Sequence, residues 1–184
     1  MTREDGVWLW LAMTPGLSAG KARELVEHLG GEAAAWNAGP DALERAVGRD
    51  LAARLLRARD PERINAHVRR CRAMGMTLIT PSSPEYPPLL KGIYDPPCAL
   101  YARGNLALLK TDCLTVVGTR RHTRYGEKVT RLLAGELASA GLTIVSGLAE
   151  GLDGVAHRAA LDAGGNTIAV LGNGLDVCYP SMHA

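Results

Sequence analysis

Apolar residues recur at helical spacing through the first part of the chain. Residues 7–11 form an apolar segment that includes two tryptophans, and Pro15-Gly16 ends it. Ser18 can cap a second helix, which runs as far as Gly30-Gly31. The pattern therefore predicts a helical hairpin at the start of the chain.

Two further helix starts follow. Asp41 and Glu44 have the spacing of a capping box. Asp60 precedes Pro61, and proline is favoured at the first position of a helix, so a helix is expected from here towards Gly75. We therefore predict a small all-helical domain over residues 1–80.

Prolines interrupt the pattern after residue 80. Residues 76–80 have the character of a short strand, and six prolines then fall between Pro81 and Pro97. Because proline lacks a backbone N–H and clashes with the preceding turn, this density argues against a helix. Residues 81–112 are predicted to be an extended connector with a candidate edge strand at 99–101.

From Leu114 onwards, short apolar runs alternate with helical periodicity. Strands are predicted at 114–117, 143–145 and 167–171, with helices at 125–140 and 152–163. The period of the first helix is set by Val129, Leu132, Leu133 and Leu137. This β-α-β-α-β order predicts an α/β fold over residues 113–184, with a right-handed, parallel, doubly wound sheet.

Each predicted strand leads into a glycine. These glycines are Gly118, Gly147 and Gly172. The carboxyl ends of parallel strands lie at one edge of a sheet, where loops and helix N-termini converge and ligands bind. The sequence therefore predicts a binding site at this edge.

Basic residues cluster just after the first of these glycines. Residues 120–131 carry five positive charges and one negative charge, so their local charge of +4 is twice the +2 of the whole chain. Arg124, Lys128 and Arg131 share one helical face. Together with the positive end of a helix, this cluster predicts an anion-binding surface.

Arginine is the dominant basic residue along the chain. It accounts for 17 of the 21 basic residues, and its planar fork suits bidentate phosphate binding. An arginine-rich codon supply explains the same excess. The nucleotide-binding patterns G-x-G-x-x-G and G-x-x-x-x-G-K-[ST] are absent, which favours a polymer backbone or a mononucleotide over NAD or ATP, and no cofactor or metal is expected.

Two residues at the start of the second predicted helix resemble an acid/base pair. Asp153 and His157 are four residues apart, but no nucleophile or metal partner is identifiable nearby. We favour a structural role in which they fix the loop 146–151 against its helix.

The composition is that of a globular chain. It is 47% hydrophobic and 4% aromatic and contains no Phe, so the core must consist mainly of small aliphatic residues. There is neither a bilayer-length apolar run nor a signal-peptide pattern, and a cytoplasmic protein is expected. Cys71, Cys98, Cys113 and Cys178 lack metal-ligand spacing and are expected to be reduced, mostly buried thiols.

Three ordered segments resemble the DNA-processing protein A family, also called DprA or Smf. They are Val117-Gly118-Thr119-Arg120, the run from Ile144 to His157 that contains Ser146-Gly147-Leu148-Ala149-Glu150-Gly151-Leu152-Asp153, and the run from Gly164 to Asp176 followed by Tyr179-Pro180. The upstream segments at 86–90, 95–97 and 100–104 match the approach to the same core.

The resemblance implies a function and an architecture. The implied protein binds single-stranded DNA in natural transformation and competence, protects incoming strands, helps to load a RecA-type recombinase, and is not an enzyme. A sterile-alpha-motif-like helical domain, an extended Rossmann-like domain and homodimers are also implied. The family's DNA-binding loops map onto Gly118, Thr119 and Arg120, onto Ser146, Gly147 and Leu148, and onto Gly172, Asn173 and Gly174.

The charge pattern adds further candidates. We expect Arg120, Arg121, Arg124 and Lys128 to pair with successive phosphates, while the backbone amides of the strand-end glycines admit the DNA strand closely. With few aromatic residues in these loops, binding should be weakly sequence-selective and steeply salt-dependent. The main alternative is a Rossmann-type enzyme that binds or hydrolyses nucleotides, and a third interpretation makes the hairpin at 1–31 a protein-interaction module.

Two features depart from the family pattern. Glu150 stands where a basic residue is common, which lowers the positive charge of its loop. The chain ends at Ala184 after three predicted strands, and we expect a truncated product or fragment with an exposed sheet edge.

Overall fold

The computed structural model describes residues 2–177 and Tyr179. The predictions for Cys178 and Pro180 lie outside the described residues. The chain divides into two compact units, Met1–Gly104 and Asn105–Ala184. The predicted domain limits near residues 80 and 112 stay a prediction.

The first unit is built from short helices, as the sequence predicted. They are α1 (Arg3–Ala12), α2 (Ala19–His28), α3 (Glu32–Asn37), α4 (Pro40–Val47), α5 (Arg49–Ala58), α6 (Pro61–Ala73) and the single turn α7 (Pro88–Lys91). Ser18 caps α2 by accepting from the Lys21 N–H, and Asp60 caps α6 with Pro61 at its first position. Both predicted caps are therefore confirmed.

Two local predictions in this unit are wrong. The capping box at Asp41 does not form, because α4 begins at Pro40 behind Gly39, two residues before the start that a cap at Asp41 requires. Gly48, with φ of 82°, separates α4 from α5. The proline-rich segment also holds α7, because Pro88 occupies the first position of the turn, where its missing N–H costs nothing.

The tryptophans of α1 lie at the centre of the helical core. Trp10 is fully buried, donates from Nε1 to the Leu55 carbonyl at 2.9 Å, and meets the Trp36 ring edge-on at 5.4 Å. Leucine, valine and alanine side chains of α1, α2 and α5 complete the core around them. The three tryptophans thus supply volume to a core that is otherwise built from smaller aliphatic side chains.

A two-stranded antiparallel ribbon joins the helices. β1 (Thr77–Ile79) pairs with β2 (Leu100–Ala102), which confirms both short strands. The turn after β1 is held on α1 by the buried carboxylate of Asp5, which accepts from Thr80 Oγ1 at 2.7 Å and from Ser83 Oγ at 3.1 Å.

The second unit contains the predicted parallel sheet. After a 3₁₀ turn at Leu106–Lys110, its elements are β3 (Cys113–Thr115), α8 (Arg124–Ser139), β4 (Thr143–Ser146), α9 (Leu152–Asp162) and β5 (Thr167–Ala169). The strand order is β3-β4-β5 and both pairs are parallel. The α/β fold class, with its parallel core, is confirmed.

The two helices of this unit lie on the same face of the sheet. Two right-handed crossovers that step in one direction place their helices together, and small residues such as Ala134, Ala138 and Ala160 form the buried contact beneath α8 and α9. Helices on both faces, as a doubly wound sheet requires, are not seen among residues 105–177.

Small side chains, not large ones, make the helix contact. Leu132 and Leu133, which set the predicted period of α8, are 55% and 52% exposed. Alanines of both helices make the buried contact, and Leu137 packs against them. Where the loop after α9 meets α8, a Cβ on Gly165 would lie 2.6 Å from that of Ala138. The predicted helical period was correct.

Among the residues that the structure describes, no helix has both the length and the apolar character needed to span a bilayer. Cys71 and Cys98 are buried free thiols, and Cys113 is an exposed one. Burial, helped by the charge of Asp95, raises the pKa of Cys98 to about 11. Its thiol therefore stays protonated at neutral pH.

Candidate nucleic-acid interface

The three parallel strands end together at one edge of the sheet. Beyond the regular strand pairs, the Val116 N–H donates to the Val145 carbonyl and the Val170 N–H donates to the Ser146 carbonyl, both at 2.9 Å. The loops that begin at Gly118, Gly147 and Gly172 therefore leave adjacent strands at this edge.

One buried carboxylate ties two of these loops together. Asp153, in the first turn of α9 and 7% exposed, accepts from the Gly118 N–H at 3.3 Å with Oδ1 and from the Gly147 N–H at 3.2 Å with Oδ2. Asp153 thus has the structural role that the sequence suggested. Because both amides already donate to this carboxylate, they are not free to donate to a ligand. The lack of a side chain at Gly118 and Gly147 instead allows Leu152 and Asp153 to pack closely against them.

The first loop also packs directly on the start of α9. The Thr119 carbonyl accepts from the Leu152 N–H at 3.2 Å. Gly151 has φ of 88°, and a Cβ there would contact the Thr119 carbonyl and lie 2.6 Å from the Arg120 carbonyl oxygen. Only glycine permits this backbone approach.

The basic side chains of the edge point into solvent. Arg120 and Arg121 in the loop, and Arg124 and Lys128 in α8, are exposed. Within residues 2–177 and Tyr179, none of them forms an ion pair. Four cations at this edge are therefore available to an anionic ligand.

Arg131 differs from its predicted neighbours. Its guanidinium lies 3.5 Å from Glu127 in the same helix and 3.6 Å from Asp162 in α9. It therefore joins the two helices, and its charge is already balanced.

The second loop is strained and its serine is engaged. Ser146 is 2% exposed and donates from its hydroxyl to the Val116 carbonyl at 2.6 Å, so it stitches β4 to β3. Leu148 adopts φ of 55°. Left-handed backbone in a non-glycine residue is uncommon and concentrates at functional sites.

The third loop is organised by its own asparagine. Asn173 donates from Nδ2 to the Gly174 carbonyl at 3.0 Å and to the Val177 carbonyl at 2.7 Å. Gly172 has open space around it. Of the predicted site, the structure thus joins the first two loops directly and places the third on the adjacent strand.

Two features of the edge were missed from sequence. Tyr125 follows Arg124 at the start of α8 and is 77% exposed, so an aromatic ring does stand beside the basic loop. His157, which was expected to fix the loop 146–151, has its Nδ1 at 2.6 Å from Thr167 Oγ1, and this contact ties α9 to β5. The position of Tyr125 next to the arginine cluster could have revealed the aromatic ring from sequence. Nothing in the residue spacing indicated the contact of His157 with Thr167.

The edge offers phosphate-binding groups and not a metal cage. In the described part of the chain, no group of three or more His, Cys, Asp or Glu side chains is arranged to hold a metal ion. Glu150, which is exposed, remains the local negative charge that the sequence indicated.

Known proteins share this architecture. A sequence profile of DNA recombination-mediator protein A matches residues 77–184. Protein Smf of Escherichia coli is 51% identical over 107 residues, which cover 58% of this chain and 29% of that protein. Protein Smf of Synechocystis sp. is 34% identical over 186 residues, which cover 98% of this chain and 47% of that protein.

A solved structure gives the same result over nearly the whole chain. DNA processing protein A (DprA) from Streptococcus pneumoniae matches with a TM-score of 0.80 and 31% identity, over 97% of this chain and 61% of that chain. The chain spans less than half the length of each of these two curated relatives.

Proposed function

Because this chain belongs to the family of DNA recombination-mediator protein A, we propose that it binds single-stranded DNA at the carboxyl edge of its parallel sheet. The observation that carries the proposal is a group of four exposed cations that form no ion pair among the described residues: Arg120 and Arg121 in the first loop, and Arg124 and Lys128 in α8. Binding of this kind requires no covalent chemistry, and the proposed role is not enzymatic.

The chemistry of the edge favours a single strand of nucleic acid. Arginine forks and a lysine can follow successive phosphates. Gly172 leaves open space at the third loop, and Tyr125 offers a ring on which a base can stack. These contacts are largely independent of base identity, so binding should be weakly sequence-selective.

The wider role is proposed on the same basis. A strand held by its phosphates along this edge is shielded from nucleases and presented for a RecA-type recombinase in recombination and natural transformation. Homodimerisation and a cytoplasmic location belong to the same proposal. Protection of a labelled strand from a nuclease, and recombinase filament formation with and without this protein, would test the two activities separately.

The first experiment is direct binding. We expect Arg120→Glu to weaken binding of a fluorescein-labelled thymine 30-mer at least about tenfold, because it removes a charge-assisted contact of about 1.5–3 kcal/mol. Anisotropy titrations at several salt concentrations provide the measurement. Arg158→Glu, at an exposed position of α9 away from the loops, is the matched control.

Two results would contradict the proposal. One is equal affinity of the wild-type protein and Arg120→Glu. The other is wild-type affinity that does not change with salt, because neutralised phosphates release counterions and make binding salt-dependent.

A further inference from the structure

Helix α6 carries a second cluster of exposed arginines, in the first unit of the chain. Its inner face buries Ile64, Val68 and Cys71, and its outer face exposes four arginines. These are Arg63, Arg69, Arg70 and Arg72. We call them the α6 arginine face.

No carboxylate from the same stretch of chain balances this face. The sequence has no Asp or Glu between Glu62 and Glu85, so residues 63–84 carry a formal charge of +4, again twice that of the whole chain. Among the described residues, none of the four arginines takes part in an ion pair. Arg69 and Arg72 are three residues apart on the same side of the helix, where like charges repel.

The helix dipole does not account for the whole cluster. Arg70 and Arg72 lie in the last turn, where positive charge is favourable. Arg63 lies in the first turn, where it is unfavourable, and Arg69 adds repulsion to Arg72. The arrangement therefore costs free energy unless an anion compensates it.

The surface between the arginines is shaped as well as charged. Asn65, Arg69 and Arg72 line a hollow of about 310 Å³, and the nearly buried side chain of Val68 also lines it. Guanidinium groups can hold phosphates, and the Asn65 amide can donate to or accept from a sugar or a base. A repeating unit of phosphate and nucleoside satisfies both.

We propose that the α6 arginine face is a second nucleic-acid contact, which binds the phosphate backbone of a DNA strand. The identity of the polymer rests on the proposed function of the sheet edge. The observations behind the α6 arginine face, namely its charge, its lack of ion pairs and its hollow, all concern the first unit and do not depend on the sheet edge.

The test compares charge reversals in the full chain. Arg69→Glu with Arg72→Glu should weaken binding of the labelled thymine 30-mer at least about tenfold, which corresponds to about 1.4 kcal/mol. If each arginine neutralises one phosphate, the slope of log K against log salt should fall by about 1.4 in magnitude. Arg45→Glu with Arg57→Glu changes the net charge equally at exposed positions of α4 and α5 and should weaken binding less than threefold.

Three outcomes separate this inference from the proposed function. If Arg120→Glu weakens binding and the α6 pair behaves like its control, the α6 inference is overturned and the sheet edge stands. If only the α6 pair weakens binding, the α6 face stands and the sheet edge fails. If neither does, both fail.

Two further measurements exclude trivial explanations. The free energy of unfolding of each variant, measured in urea, should match that of the wild-type protein, because all four substituted side chains are exposed. If a charge-reversal pair does not fold, the milder pair Arg69→Gln with Arg72→Gln replaces it and should still weaken binding about threefold or more. Binding of labelled polyglutamate that the α6 pair abolishes, with DNA binding unchanged, would overturn the inference in favour of an acidic polypeptide.

Discussion

Individual residues at the sheet edge divide into those that build it and those left exposed to a ligand. Ser146 and Asp153 are buried, and their polar atoms are used by neighbouring backbone groups. Arg120, Arg121 and Lys128 are exposed and have no ion-pair partner among the described residues. Substitutions of the two kinds should therefore act differently, on the loops themselves or on contacts with DNA.

Tyr125 provides a prediction at the scale of one side chain. We expect Tyr125→Ala to weaken binding of the thymine 30-mer about 5- to 100-fold, because stacking on an aromatic ring contributes about 1–3 kcal/mol per base. Tyr125→Phe, which keeps the ring, should stay within about twofold of the wild type in the same anisotropy assay. Tyr94→Ala, at a tyrosine that is 98% exposed in the first unit, serves as the control. Equal affinity of the Ala and Phe variants would exclude stacking.

At the scale of elements, Asp153 joins the ends of β3 and β4 to the start of α9. In Asp153→Asn only one oxygen remains to accept, and the new NH₂ group faces a glycine N–H, so we expect a loss of about 1–3 kcal/mol in the free energy of unfolding. DNA affinity should also fall, although the substitution removes a negative charge beside the proposed site. Urea unfolding and anisotropy measure the two effects.

Glu150→Gln is the matched control, because it makes the same charge change three residues before Asp153 at an exposed position. It should strengthen DNA binding modestly by removing repulsion. If Asp153→Asn also strengthens binding, Asp153 acts through charge alone and does not position the loops.

The elements that sequence predicted well are those with local causes. Ser18 and Asp60 cap their helices, and apolar runs ending in glycine gave the strands of the parallel sheet, because caps and periodicity depend on neighbours in the chain. The apolar period of α8 did not show which of its residues are buried, since Leu132 and Leu133 are exposed while alanines and Leu137 pack towards α9. The separation between two helices depends on tertiary packing, which periodicity does not encode.

The candidate site shows the same limit. Residue spacing and charge predicted the basic loop and the glycines at the strand ends, but they did not predict the hydrogen-bond partner of each polar group. Asp153 bonding to Gly118, 35 residues away, and His157 bonding to Thr167 are long-range choices made by the folded chain. The arginines of the α6 arginine face can be read from the sequence, but their exposure and the hollow between them are known only from the structure.

At the scale of the molecule, the helical unit should lose stability in acid. Burial tends to raise the pKa of Asp5, but hydrogen bonds from Thr80, Thr2 and Ser83 outweigh it and lower the pKa below 3.8. The folded state therefore binds fewer protons than the unfolded chain, so this stabilisation is full above about pH 4 and is lost as the pH falls through the lowered pKa.

We expect Asp5→Asn to lower the free energy of unfolding by about 1–3 kcal/mol at pH 7 and by much less in acid. Urea unfolding followed by tryptophan fluorescence reports on this unit, since its core contains Trp10. Asp41→Asn, at an exposed carboxylate of α4, makes the same charge change and is the matched control. If the free energies of unfolding of Asp5→Asn and the wild type differ by the same amount across pH 2–7, the charge of Asp5 does not contribute to the pH dependence of stability.

The contact of Gly151 with the backbone of Thr119 and Arg120 also bears on how the edge can change by mutation. With no side chain between them, a shift in one loop displaces the other, and substitutions in the two loops should be non-additive. A change in ligand preference at this edge therefore requires substitutions in both loops at once. In a library that randomises residues 119–121 alone, the contact with an unchanged Gly151 will limit how far the first loop can move.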